Sequence, residues 1–164
     1  MLHQVILETI WIMLPAGVAN TVPVIAAKYS WLPALNRPLD GGATFRGRRV
    51  LGDHKTWRGL LVGIVFGSIT GIILGQSAVV GGLLGFGALA GDAAKSFFKR
   101  QLNIAPGKPW PLFDQLDYVL GALLVASFMF PLTTAHVISA VIMFSFASYA
   151  TSYLGMKLKI KKSL

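Results

Sequence analysis

Asp92, Lys95, Ser96 and Lys99 fall at i, i+3, i+4 and i+7, and Arg100 follows directly. On a helix this spacing puts the first four on one face. Asp114 and Asp117 repeat the i, i+3 relation further along the chain. Three carboxylates beside several cations suggest a metal and a phosphate. Hard oxygen donors suit Mg²⁺, which usually takes one or two carboxylates together with substrate phosphates. Lys and Arg suit the phosphate charge that remains. The structural alternative is a set of interfacial salt bridges, with Asp114 serving as a helix N-cap.

A second group precedes it. Asp40-Gly41-Gly42, Phe45-Arg46-Gly47-Arg48-Arg49 and Leu51-Gly52-Asp53-His54-Lys55-Thr56-Trp57-Arg58-Gly59 lie in one basic stretch. Glycines beside Lys55, Thr56 and Arg58, just before a helix, can cradle phosphate with backbone amides and the helix dipole. The same residues suit a basic loop lying on anionic headgroups, and on the residues alone the two readings stand level. Gly52-Asp53-His54-Lys55-Thr56 is not a Walker A loop, because the first glycine and its spacing are missing. His54 reads as a hydrogen-bonding loop residue; His3 and His136 read as incidental. Asn20 lies in the first apolar run, where a polar side chain glues helices together or, alternatively, faces a lipid substrate. The chain has no cysteine, which excludes disulfides and thiol nucleophiles.

The elements that must carry these groups are read from the charge pattern. All fifteen Lys and Arg fall in three stretches, Lys28–Arg58, Lys95–Lys108 and Lys157–Lys162, separated by long apolar runs. Hydrophobic residues make up 54% of the 164 and charged residues 13%, against about 25% charged in an ordinary soluble domain. The net charge of +9 is explained by membrane topology and anionic lipid or nucleotide rather than by nucleic acid. The expected fold is all-α: a single membrane-embedded domain of five transmembrane helices at about 5–27, 59–76, 77–94, 114–132 and 133–155. Pro15 and Pro23 break the first run, which is long enough to stay in the membrane rather than act as a cleaved signal. Links without Lys or Arg face outward, so the N-terminus is expected outside and the C-terminus in the cytoplasm. Two large cytoplasmic loops, 28–58 and 95–113, then hold the candidate chemistry. Gly59, Gly63, Gly67, Gly71 and Gly75, with Gly81, Gly85, Gly87 and Gly91 on the next helix, predict close helix packing or a groove for a lipid chain.

The run Gly91-Asp92-Ala93-Ala94-Lys95-Ser96-Phe97-Phe98-Lys99-Arg100, with Pro106-Gly107, Pro111 and Asp114-Gln115-Leu116-Asp117, resembles the CDP-archaeol synthases, membrane cytidylyltransferases related to the CDP-diacylglycerol synthases. Asn20-Thr21-Val22-Pro23, Leu39-Asp40-Gly41-Gly42, Arg48-Arg49-Val50-Leu51-Gly52 and Lys55-Thr56-Trp57-Arg58-Gly59 are similar to the family's other blocks. The resemblance implies transfer of CMP from CTP to digeranylgeranylglyceryl phosphate with Mg²⁺, releasing pyrophosphate. It implies Asp92, Asp114 and Asp117 as metal and catalytic carboxylates. By the same likeness Lys55, Arg58, Lys95, Ser96, Lys99 and Arg100 hold the triphosphate and lipid phosphate, and Thr56 and Asn20 join them as candidate substrate-binding residues. The partners implied are CTP, a membrane lipid phosphate and the bilayer, with no nucleic acid and with room for a homodimer; the implied location is the cell membrane. Bacterial diacylglycerol relatives carry Lys-Asp and His-Gly-Gly between the corresponding elements. Here those positions read Ile104-Ala105-Pro106-Gly107-Lys108 and Pro109-Trp110-Pro111, which favours the archaeal-type branch over phosphatidic acid. An alcohol phosphatidyltransferase would need Gly and Ala-Arg after the Asp pair, where Tyr118-Val119 stand instead. A transporter or scaffold is the non-enzymatic rival. Inverted repeats and mid-membrane charge would mark a transporter; neither is evident.

Overall fold

In a computed structural model describing residues 2–105, 108, 110 and 113–158, five helices account for nearly all regular structure. They are α1 (Leu2–Lys28), α2 (Trp57–Ile73), α3 (Ala78–Gln101), α4 (Phe113–Ser127) and α5 (Thr134–Lys157). The 28–58 loop adds a short 3-10 turn, Pro33–Leu35, and an antiparallel hairpin of β1 (Thr44–Phe45) and β2 (Arg48–Arg49). That hairpin is absent from the all-α expectation. Lys159, Lys161 and Lys162, with Pro106, Gly107, Pro109 and Pro111, lie outside the described residues.

Helix ends differ from the hydropathy boundaries for physical reasons. α1 runs unbroken through Pro15 and Pro23, because neighbouring helices in a bundle compensate for the missing amide. α3 continues seven residues past Ala94; Lys and Arg end an apolar run but are good helix formers. α4 stops at Ser127, ahead of a turn and Pro131, five residues short of the expected 132. As a result α1, α3 and α5 are long and apolar enough to cross a membrane, whereas α2 has 17 residues and α4 has 15. At 1.5 Å per residue α4 is about 22 Å long, less than the ~30 Å hydrocarbon core. Wide apolar faces, including Val65, Ile69 and Ile73 of α2 and Ile138, Ile142 and Phe146 of α5, stay exposed in the isolated chain, as suits a lipid solvent.

Glycine contacts set the helix spacing. Gly63, Gly67 and Gly71 of α2 meet α1 and α3 so closely that an added Cβ would strike backbone: Ala19 O at 2.8 Å, Gly81 O at 2.7 Å and Gly81 Cα at 2.9 Å. Gly87 and Gly91 face α4 instead, against Gly121 and the Asp117 carbonyl. The packing expectation therefore holds for these residues, while Gly59 and Gly75 lie outside the tight contacts. Met13, Ala16, Leu84, Ala88, Val119, Ala122 and Ala140 fill the core between α1, α3, α4 and α5, and the Tyr118 hydroxyl donates to Phe144 O at 2.6 Å.

His136 is not incidental. It is buried, completes a capping box with Thr133 at the start of α5, and lies 3.0 Å from Glu8 of α1.

Candidate active site

Close approach of α3 and α4 creates the site. At Gly91 there is no room for a Cβ beside the Asp117 carbonyl, so the residues that follow Gly91 stand directly against the start of α4. Asp92 and Lys95 of α3 thereby meet Asp114 and Asp117 of α4. Lys95 Nζ is the hub: it lies 3.3 Å from Asp92 Oδ1, 3.1 Å from Asp114 Oδ1, and in contact with Asp117 Oδ2. Lys99 Nζ pairs with Asp114 at 2.9 and 3.2 Å, and Lys55 pairs with Asp92 Oδ2. Asp114 also accepts from the Trp110 amide, and Asp117 Oδ1 accepts from the Tyr118 amide at 2.6 Å. Asp117 is the deepest, its side chain 5% exposed. Three carboxylates thus face three ammonium groups in a half-buried cluster.

Lys55 reaches this cluster from the first loop because Asp40 folds that loop. The Asp40 carboxylate, 2% exposed, accepts from the amides of Gly42, Leu51 and Gly52 at 3.1, 2.8 and 3.1 Å and pairs with Arg49 at 2.9 Å. Burial pushes the Asp40 carboxyl up, but Arg49 and the three amides outweigh it and hold the group well below the usual carboxylate range. Arg49 also pairs with Asp53 at 2.8 Å. Backbone bonds Leu39 N to Lys55 O (2.7 Å) and Trp57 N to Arg37 O (3.1 Å) close the loop's neck. The hairpin docks on the end of α3, with Phe45 against Phe97 (6.0 Å between centroids) and Arg48 donating to the Gln101 carbonyl.

The structure gathers Asp92, Asp114, Asp117, Lys55, Lys95 and Lys99. The other expected site residues are engaged differently. Thr56 caps α2, its hydroxyl accepting from Gly59 N at 3.2 Å. The Ser96 hydroxyl donates to Asp92 O at 2.9 Å within its own helix. Arg58 is buried and donates to Trp31 O at 3.4 Å; it has no carboxylate partner among the described residues. Arg100 keeps a buried Nε without a hydrogen-bond partner, beside Gly52, a donor suited to an anion. Asn20 is half-buried on α1 and takes no part in the bonds that build the cluster. Asp40 is the residue whose role the sequence reading missed. Asp-Gly-Gly is a turn signal, but four acceptor contacts reaching twelve residues ahead leave no local trace.

A family model described as CarS-like, CDP-archaeol synthase, matches residues 2–164. The chain belongs to the CDP-archaeol synthase family. Among its relatives, a CDP-archaeol synthase of Aeropyrum pernix is 42% identical, covering 93% of this chain and 90% of its own. One from Thermofilum pendens is 40% identical (90% and 77% covered), and one from Pyrococcus furiosus 37% (95% and 96%). A solved structure described as an intramembrane enzyme for archaeal membrane lipids biosynthesis superposes with a TM-score of 0.74 at 40% identity, covering 95% of both chains. The chain is accordingly a cytidylyltransferase of the CDP-archaeol synthase type and a multi-pass membrane protein.

The metal expectation meets a specific arrangement. Among the described residues no preformed cage of three or more His, Cys, Asp or Glu ligands is present; the three carboxylates converge on the Lys95 ammonium instead. The donors themselves, hard oxygens from two helices directed at one cationic centre, fit a divalent ion such as Mg²⁺.

Proposed function

We propose that this chain transfers the cytidylyl group of CTP to an isoprenoid ether lipid phosphate of the digeranylgeranylglyceryl type, at the α3–α4 cluster. The observation that carries the reading is the convergence of Asp92, Asp114 and Asp117 with Lys55, Lys95 and Lys99, in a chain of this family.

The reaction makes modest demands on the protein. The lipid phosphate is already ionised, so one of its oxygens attacks the α-phosphorus of CTP without a strong general base. A bond forms from that oxygen to the α-phosphorus, the bond to the β-phosphate's bridging oxygen breaks, and pyrophosphate leaves with the electron pair. Catalysis then rests on positioning and on neutralising phosphate charge. Lys55, Lys95, Lys99 and Arg100 supply cations around the triphosphate and the lipid phosphate. Ser96 fixes the α3 backbone, and Thr56 fixes the start of the helix that follows Lys55. Asp92, Asp114 and Asp117 would hold Mg²⁺, which when bound neutralises charge on the attacking and leaving oxygens.

Basic residues at the last turns of α1, α3 and α5, and in the loop before α2, support a topology with this end of the molecule in the cytoplasm. The N-terminus is then outside, all five helices lie in or through the membrane as one domain, and water-soluble CTP meets the membrane-held phosphate at the inner surface.

The test is product formation by purified protein in detergent with CTP and Mg²⁺, offered either digeranylgeranylglyceryl phosphate or phosphatidic acid. The reading expects CDP-lipid and pyrophosphate from the isoprenoid substrate alone. Equal or better turnover of phosphatidic acid would overturn the substrate assignment, and no product from either would overturn the reaction.

A further inference from the structure

Lys95 occupies the point where three carboxylates meet, which is the point a divalent cation would need. Every carboxylate oxygen of the cluster already has a partner. Asp92 Oδ1 and Oδ2 take Lys95 and Lys55; Asp114 Oδ1 takes Lys95 and Lys99, and its Oδ2 takes Lys99 and the Trp110 amide; Asp117 Oδ2 takes Lys95 and its Oδ1 the Tyr118 amide. The charges of these six side chains balance. A cation arriving alone must therefore displace an ammonium from a neutral, half-buried cluster. An ammonium left a few ångströms away would repel it by a margin worth more than about tenfold in affinity.

We infer that Lys95 is a built-in competitor of the divalent cation, holding the carboxylates together until nucleotide phosphate draws its ammonium away. The inference rests on the proposed metal role of Asp92, Asp114 and Asp117. It gives the site a loading order: cation and nucleotide enter together, because the phosphates supply the negative charge that both the cation and the displaced lysine require. Lys55 and Lys99 cannot play this part, since each touches one carboxylate where Lys95 touches three.

The experiment is a Mn²⁺ titration of the detergent-purified full chain without nucleotide, reading free Mn²⁺ by its electron paramagnetic resonance signal. Wild type is compared with Lys95→Met, Lys95→Gln and, as a charge-matched control, Lys55→Met. Thermal unfolding in metal-free buffer and with Mn²⁺ accompanies each titration. The expected result is Mn²⁺ bound at least tenfold more tightly by both Lys95 variants than by wild type, and more tightly than by Lys55→Met. Mn²⁺ should also raise the unfolding midpoint of the Lys95 variants more than that of wild type. A merely structural lysine would give the reverse, because loosening the cluster weakens every ligand. Lys95→Gln, close in length and neutral, carries the test if Lys95→Met does not fold. Wild-type affinity in a folded neutral variant overturns the competitor role while leaving the metal site standing. Failure of every form to bind Mn²⁺, in this titration and in a second one with CTP from which a protein-free control subtracts the nucleotide's own Mn²⁺ uptake, overturns the metal reading itself.

Discussion

Gly91→Ala changes one hydrogen to a methyl group at the contact that brings the acidic ends of α3 and α4 together. The new Cβ would overlap the Asp117 carbonyl oxygen and lie 3.1 Å from Gly121 Cα, both backbone atoms that cannot rotate away. The helices must separate or shear. Overpacking of this kind costs about 1–3 kcal/mol of stability. The catalytic consequence is larger, because Asp92 is the next residue and Asp117 carries the struck carbonyl. A displacement of about 1 Å in such a site can cost on the order of 100-fold in rate. The control is Gly59→Ala, where the nearest atoms are Thr56 Oγ1 at 3.5 Å and Pro23 Cβ at 3.7 Å. Alanine fits there, and helix propensity favours it over glycine by roughly 1 kcal/mol. Thermal unfolding in detergent and initial rates of pyrophosphate release, measured on both variants, make the comparison. Gly59→Ala should melt at or above the wild-type temperature with near-normal turnover; Gly91→Ala should melt lower and lose most of its turnover. Wild-type rate and stability in Gly91→Ala would refute the claim that this contact sets the site.

Thr56→Ala removes the α2 cap and should cost about 1 kcal/mol in unfolding free energy, seen as a lower melting midpoint, with the dependence of rate on CTP concentration little altered. Ser96→Ala should lose far less turnover than Lys99→Ala in parallel rate assays, since the serine hydroxyl serves its own helix and Lys99 serves Asp114. For Asp40 the folded pKa lies below the unfolded one. Its contribution is therefore complete above the unfolded value near 4 and is lost as pH falls through the lower folded value. Asp40→Asn should be less stable than wild type at neutral pH and should show a smaller loss of melting temperature on acidification from about pH 5. Equal pH slopes for the two proteins would contradict the caged-carboxylate description.

The carboxylates and lysines were readable because their chemistry is local: i, i+3 and i+4 relations on α3 and α4 survive from sequence to structure. Helix number was readable from apolar runs. Helix length was not, since α3 extends its charged turns beyond the apolar run and α4 ends at a turn that hydropathy averages away. The pairing of Lys55 with Asp92 spans 37 residues and depends on a loop folded around Asp40, a contact no periodicity announces. Thr56 carries two signals at once: its place just before a helix is the plain signature of an N-cap, which its bond from Gly59 N bears out, while its neighbours Lys55 and Arg58 point to phosphate. His136 reads as incidental from its place on the outer side, and its partner Glu8, 128 residues away in the chain, leaves no local sign.

Joint action of Asp92, Asp114 and Asp117 in cytidylyl transfer is open to measurement. Its most direct test is pyrophosphate release from CTP, with digeranylgeranylglyceryl phosphate and Mg²⁺, by purified wild type and by Asp92→Asn, Asp114→Asn and Asp117→Asn, each checked for folding by thermal melting. Each folded variant should lose at least about 100-fold in turnover, the scale of removing one charge-stabilising group from an active site. Turnover within a few-fold of wild type in a folded variant of any of the three would contradict it.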